Sequence, residues 1–184
     1  MIIAQKKRKE NIAEYLLYMW QVEDLIRAVG VTIEGVETHL LPRYQVDEAT
    51  KVEIRTWYSE LIDMMRSEGK TESGHLDINR IILMQLEELH RALLGPKQDI
   101  VYSGMHLQIL PALIQLRSKG DHSNESELET CFSALYGYIT LGLQGKEISD
   151  ETKKSMQQIS AMLALLAHRY KLEQEGDTTT TTKA

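Results

Sequence analysis

The stretch from Glu10 to Arg27, ENIAEYLLYMWQVEDLIR, constrains the fold more than any other part of the chain. Wound at about 100° per residue, it gathers Tyr15, Tyr18, Met19, Val22, Leu25 and Ile26 on one arc, and Ile12, Leu16 and Trp20 widen it. Glu14, Gln21 and Asp24 fall on the other side. An apolar arc of more than half the circumference belongs to a helix that touches several partners rather than one. Two charges interrupt the arc. Glu23 and Arg27 are spaced i, i+4 with the acid first, the order that favours a side-chain pair. The plainer reading is a local ion pair whose stems pack beside the core. The sharper reading is a buried polar pair that fixes register or contacts a ligand, because desolvated charges are costly unless partnered.

The block that contains this stretch, MIIAQKKRKENIAEYLLYMWQVEDLIRA, resembles a family of uncharacterised Bacteroidetes proteins, domain of unknown function 4924. Chain length and helical character suit the same family. The resemblance implies a bacterial source. It implies no activity, so no catalytic residue is carried over.

Helical signals continue along the chain. Gly30 is placed to end the first helix. Thr32 can cap a short helix that Pro42 stops near Leu41, although Gly35 weakens it. Asp47 caps an amphipathic helix to about Glu68 whose arc carries Ile54, Trp57, Tyr58, Leu61, Ile62 and Met65. The next runs from about Leu76 to Leu94 with Ile78, Ile82, Leu86, Leu89 and Leu93 inward, followed by Gly95-Pro96. A fourth long helix spans about Ile100 to Lys119, with Tyr102, Ile109, Leu113 and Ile114 inward and Pro111 predicting a kink near Leu107. After a polar loop, Gly120 to Asn124, a fifth helix runs to about Gln144 and buries Cys131, Phe132, Leu135, Tyr136, Ile139 and Leu143. Ser149 opens the last, with Asp150 and Glu151 at its positive end. From about Gln174 the sequence turns to EGD and a threonine run, which reads as a disordered tail. The expected fold is all-α: a single-domain bundle over residues 1–173, about six helices plus a short one after the first, mostly antiparallel.

Composition narrows the setting. The net charge of −6 argues against broad attraction to nucleic acid or an anionic membrane. One cysteine, Cys131, excludes an intramolecular disulfide, suits a reducing cytosol and falls on an apolar face. No segment approaches the roughly 18 apolar residues of a membrane span. The basic Lys6 to Lys9 is followed by Glu10, Asn11 and Glu14 rather than an apolar signal region, so a cytoplasmic location is expected.

Few residues carry chemistry. GKTESG, Gly69 to Gly74, holds glycine, lysine and threonine, but without the spacing or the preceding strand of a phosphate loop. Asn79, His90 and His106 face inward on two helices joined by a short loop. Glu87 precedes His90 by three residues, the Glu-x-x-His spacing that places a carboxylate and an imidazole on one helix face within reach of one metal. A di-iron site needs that motif twice, and the second match, Glu72 to His75, spans the Gly74 loop. Glu87, His90 and His106 are the candidate metal ligands, against the plainer reading of hydrogen-bonded core histidines. No motif implies a cofactor or a nucleophile: Cys131 reads as core and no Gly-x-Ser-x-Gly elbow is present.

The leading expectation is a non-catalytic interaction module, a homodimer using the first helix with Tyr18, Trp20 and Arg27 as anchors. Its alternatives are a metal- or ligand-binding site on the third and fourth long helices, and RNA association through Lys6 to Lys9. Those four cations oppose the positive end of a helix they would open, so they read as pre-helical or held by a partner.

Overall fold

The computed structural model describes residues 2–119 and 125–181, with side chains for 3–118 and 125–176. The expected loop Gly120 to Asn124 lies outside the described residues, as do 182–184. Among the described residues the protein is all-α, with eight α-helices and no strand. No helix is long and apolar enough to cross a membrane.

The first helix is two. α1 spans Ile2–Glu10 and α2 Ile12–Ala28, divided at Asn11, whose Oδ1 accepts from Ala13 N at 3.1 Å. This is a side-chain cap inside a segment read as continuous. It also resolves the charge mismatch, because Lys7, Arg8 and Lys9 end a helix rather than open one, where cations are favoured.

The chain forms two compact units, residues 1–10 with 14–82 and residues 11–13 with 83–184. In the first, α2 ends as the sequence predicts: Gly30 takes φ +85° and Val31 N donates to Ile26 O at 3.0 Å. α3 (Ile33–His39) is capped by Thr32, whose side chain accepts from Gly35 N at 3.1 Å, and a 3-10 turn follows at Leu41–Arg43. Gly35 is there for space. A Cβ at that position would lie 2.1 Å from the Val29 carbonyl oxygen. α4 (Glu48–Ser67) starts at Asp47, which accepts from Thr50 N at 2.7 Å, and buries Ile54, Tyr58, Leu61, Ile62 and Met65. Leu16, Met19, Trp20, Val22 and Ile26 of α2 are also buried.

The second unit holds most of α5 (Asp77–Leu94) with α6 (Ile100–Lys119), α7 (Glu127–Leu143) and α8 (Asp150–Thr181). The last three pack on one another. Tyr102, Ile109, Phe132, Ile159, Met162 and Leu166 lie at the centre, each at most 1% exposed. The start of α6 is tied to the late part of α8 by Arg169 Nε, 2.7 Å from Asp99 Oδ2. Pro111 sits within α6 on its exposed side and does not end the helix.

Several expected core positions differ. Ile114 is 70% exposed and Leu143 78%, while Tyr136 and Ile139 are only half-buried and Ile78 is exposed. An apolar arc read from the sequence has no fixed edge, and which side of it is covered depends on neighbours the pattern does not name. α8 continues through Thr181, past the Gln174 where the sequence reading ended it, although residues 171–176 are exposed.

Candidate functional site

Two buried polar clusters form, one in each unit. The first centres on Glu23, which α2 carries into the core with no exposed surface. Its Oε1 accepts from Leu76 N at 3.0 Å and Asn79 Nδ2 at 2.7 Å, and its Oε2 lies 2.7 Å from His75 Nδ1. Leu76 and Asn79 stand at the start of α5, so a distant carboxylate supplies the acceptor and negative charge that a helix N-terminus favours. The His75 ring stacks on Trp20, with centroids 4.0 Å apart and planes 11° from parallel.

Arg27 serves the other end of the same loop. Its Nε and Nη2 donate to Lys70 O at 3.3 and 3.2 Å, and Nη2 also donates to Gly74 O. Nη1 pairs with Asp24 at 2.8 Å. Glu23 and Arg27 form the expected i, i+4 ion pair at 4.0 Å, and together they grip the loop 70–76. The carboxylate takes its N–H groups and the guanidinium its carbonyls. Asn79 belongs here, and its Oδ1 alone is left without a partner. The expected grouping of Asn79 with His90 and His106 is therefore corrected: its amide is committed to Glu23.

The second cluster lies in the other unit. His90 on α5 is 7% exposed and its Nδ1 is 2.7 Å from the hydroxyl of Tyr102 on α6. His106, one turn beyond Tyr102, faces His90 with ring centroids 5.3 Å apart. The two imidazoles meet, as their inward positions suggested. The third member is Glu127, the first residue of α7, whose Oε2 is 3.0 Å from His106 Nε2. One ligand-capable atom from each of His90, His106 and Glu127 lies within 4.8 Å of the others.

Glu87 is close but otherwise engaged. It lines the same cavity of about 200 Å³ with His90, Arg91, Ser126, Glu127 and Leu128, and accepts from the Ser126 hydroxyl. Ser126 also caps α7, its Oγ accepting from Glu129 N at 3.0 Å. The sequence missed Glu127 because an acid in the first turn of a helix is ordinary. Tyr102 was legible in principle, since it precedes His106 by four residues and so shares its face.

Electrostatics sets the protonation states here. Burial, then the neighbouring His106, pushes His90 down to about 4, so its imidazole is neutral near pH 7. Burial raises the Tyr102 hydroxyl far above its ordinary value, so it keeps its proton. Cys131, one turn after Glu127, is pushed up to about 12 by burial and by Glu127. It is a thiol rather than a nucleophile, in keeping with its reading as core.

The first-helix anchors are placed differently. Trp20 is 3% exposed and held within its own unit, and Tyr18 is half-buried, its hydroxyl raised by burial. In the basic run, Lys7 pairs with Glu14 at 2.9 Å, Lys6 lies 4.0 Å from Glu10, and Arg8 sits 5.9 Å over the Tyr15 ring.

A family model described as Domain of unknown function (DUF4924) matches residues 1–177, and the chain belongs to that family. No curated protein and no solved structure matches the chain.

Proposed function

We propose that this member of a family of unknown function binds one divalent transition metal through His90, His106 and Glu127. One observation carries the reading: three ligand-capable atoms, from α5, α6 and α7, lie within 4.8 Å of one another. Bonds of about 2.0–2.2 Å at tetrahedral angles put ligand atoms about 3.3–3.6 Å apart, a closure of about an ångström that side-chain rotation can supply. Two imidazoles and one carboxylate suit zinc and its neighbours better than calcium or magnesium. With the proton on Nδ1, His90 donates to the Tyr102 hydroxyl oxygen, the kind of outer contact that orients a ligating ring and leaves Nε2 to bind. Three protein ligands leave a fourth position, and the cavity lies beside it.

Glu87 replaces nothing in this set. Its spacing from His90 is that of a ligand pair, but its hydrogen bond from Ser126 assigns it to the rim. Calorimetric titration of untagged protein with Zn(II) tests the reading. One equivalent should bind, with affinity lowered at least about a hundredfold in His90→Ala and in His106→Ala. Equal binding by both variants, or none by the parent, refutes it.

A second reading, self-association, is supported by α6 rather than the first helix. Ile100, Leu107 and Ile114, seven residues apart, are 86%, 66% and 70% exposed, and residues 100–116 hold no Asp, Glu, Lys or Arg. An uncharged face can meet its own copy without repulsion. Analytical ultracentrifugation should give a dimer that Leu107→Glu dissociates, and a monomer throughout the micromolar range excludes it.

A further inference from the structure

The cavity beside the histidine cluster holds a cation that makes no ion pair with the described residues. Arg91 lines the cavity and directly follows His90. Glu87 stands one turn before Arg91 at the spacing that favours an ion pair, yet its carboxylate is engaged by Ser126 and the pair does not form. No described residue gives Arg91 a hydrogen bond or an ion pair.

We propose that this cavity takes a small oxyanion, a carboxylate or a phosphate, with one oxygen on the open position of the metal and the others facing Arg91. The proposal rests on the metal reading above. The charges favour it: a divalent ion with Glu127 leaves one positive charge, and Arg91 offsets Glu87, so a bound anion brings the site close to neutrality. Size limits the ligand. About 200 Å³ holds the volume of about six or seven waters, below the range of drug-sized sites. A planar guanidinium presents paired donors that match both carboxylate and phosphate oxygens. The Ser126 hydroxyl, committed to Glu87, also lines the cavity and can exchange that acceptor for the anion.

The experiment uses the full chain loaded with Co(II), whose visible absorption reports its coordination. Acetate and methyl phosphate are titrated separately. The proposal expects a saturable change in the spectrum with at least one of them, and which one responds assigns the ligand to carboxylates or to phosphates. In Arg91→Ala the anion dissociation constant should rise about tenfold while Co(II) affinity changes by less than about threefold. Arg91 is exposed, so its removal leaves the core intact. A Co(II) spectrum that neither anion alters, or an Arg91→Ala titration equal to the parent, overturns this proposal and leaves the metal site standing. Failure to bind Co(II) at all overturns both.

Discussion

The Glu23 and His90 clusters are built from similar parts and end in opposite states. Each buries a polar residue on one helix and answers it with groups from other segments. The Glu23 carboxylate is engaged on both oxygens, by Leu76, Asn79 and His75 at 2.7–3.0 Å, Arg27 closes the loop beside it, and the Oδ1 of Asn79 is left without a partner. Around His90 the polar atoms instead converge beside a space. One ring nitrogen has Tyr102, His106 and Glu127 face each other, and a cavity lined by Arg91 opens beside them. A carboxylate engaged on both oxygens ties distant segments together, whereas ligand-capable atoms converging beside a cavity offer a place to bind. On the proposed reading the first cluster serves stability and the second binds.

The largest effect that would break this contrast is on stability. Glu23→Ala leaves the Leu76 N–H and the Asn79 amide buried without acceptors, and should cost about 3–5 kcal/mol in urea denaturation. A loss below about 1 kcal/mol would show the loop 70–76 to be held by other means. A smaller effect sharpens the other side. Tyr102→Phe keeps the ring and removes only the hydroxyl on His90, so Zn(II) affinity should fall about tenfold with the fold retained. Unchanged affinity would make Tyr102 a core residue only.

A further effect concerns pH. His90 ordinarily takes a proton near 6.5, but in the fold only near 4. As pH falls through that window the unfolded chain binds the proton and the folded protein does not, so stability falls with pH and the difference is complete below about 4. His90→Gln removes this contribution. Its urea midpoint should fall less between pH 7 and pH 4 than the parent's, and equal slopes would contradict the burial of His90.

What the sequence revealed follows a physical line. Helices, caps and most core residues were legible because Thr32, Asp47 and Gly30 act on neighbours within a few residues, and because the 3.6 period shows which side is apolar. Asn11 was not legible as a break, since its cap competes with a helix that either side would support. In the candidate site, His90 and His106 could be paired because both are polar residues on apolar faces. Their third partner could not: Glu127 and Glu87 look alike in sequence, and only the placement of α7 decides between them. Glu23 stood out for the same reason as the histidines, but its partners lie 52 to 56 residues away. Trp20 looked like an anchor for a second chain, and it packs on His75 of its own.

The most direct measurement is anomalous diffraction at the zinc edge from crystals grown with one equivalent of Zn(II). The account predicts a peak at about 2.0–2.2 Å from His90, His106 and Glu127, and none beside the fully engaged Glu23 and His75. Zinc at His75, or at surface carboxylates alone, would contradict the assignment of the His90 cluster as the functional site.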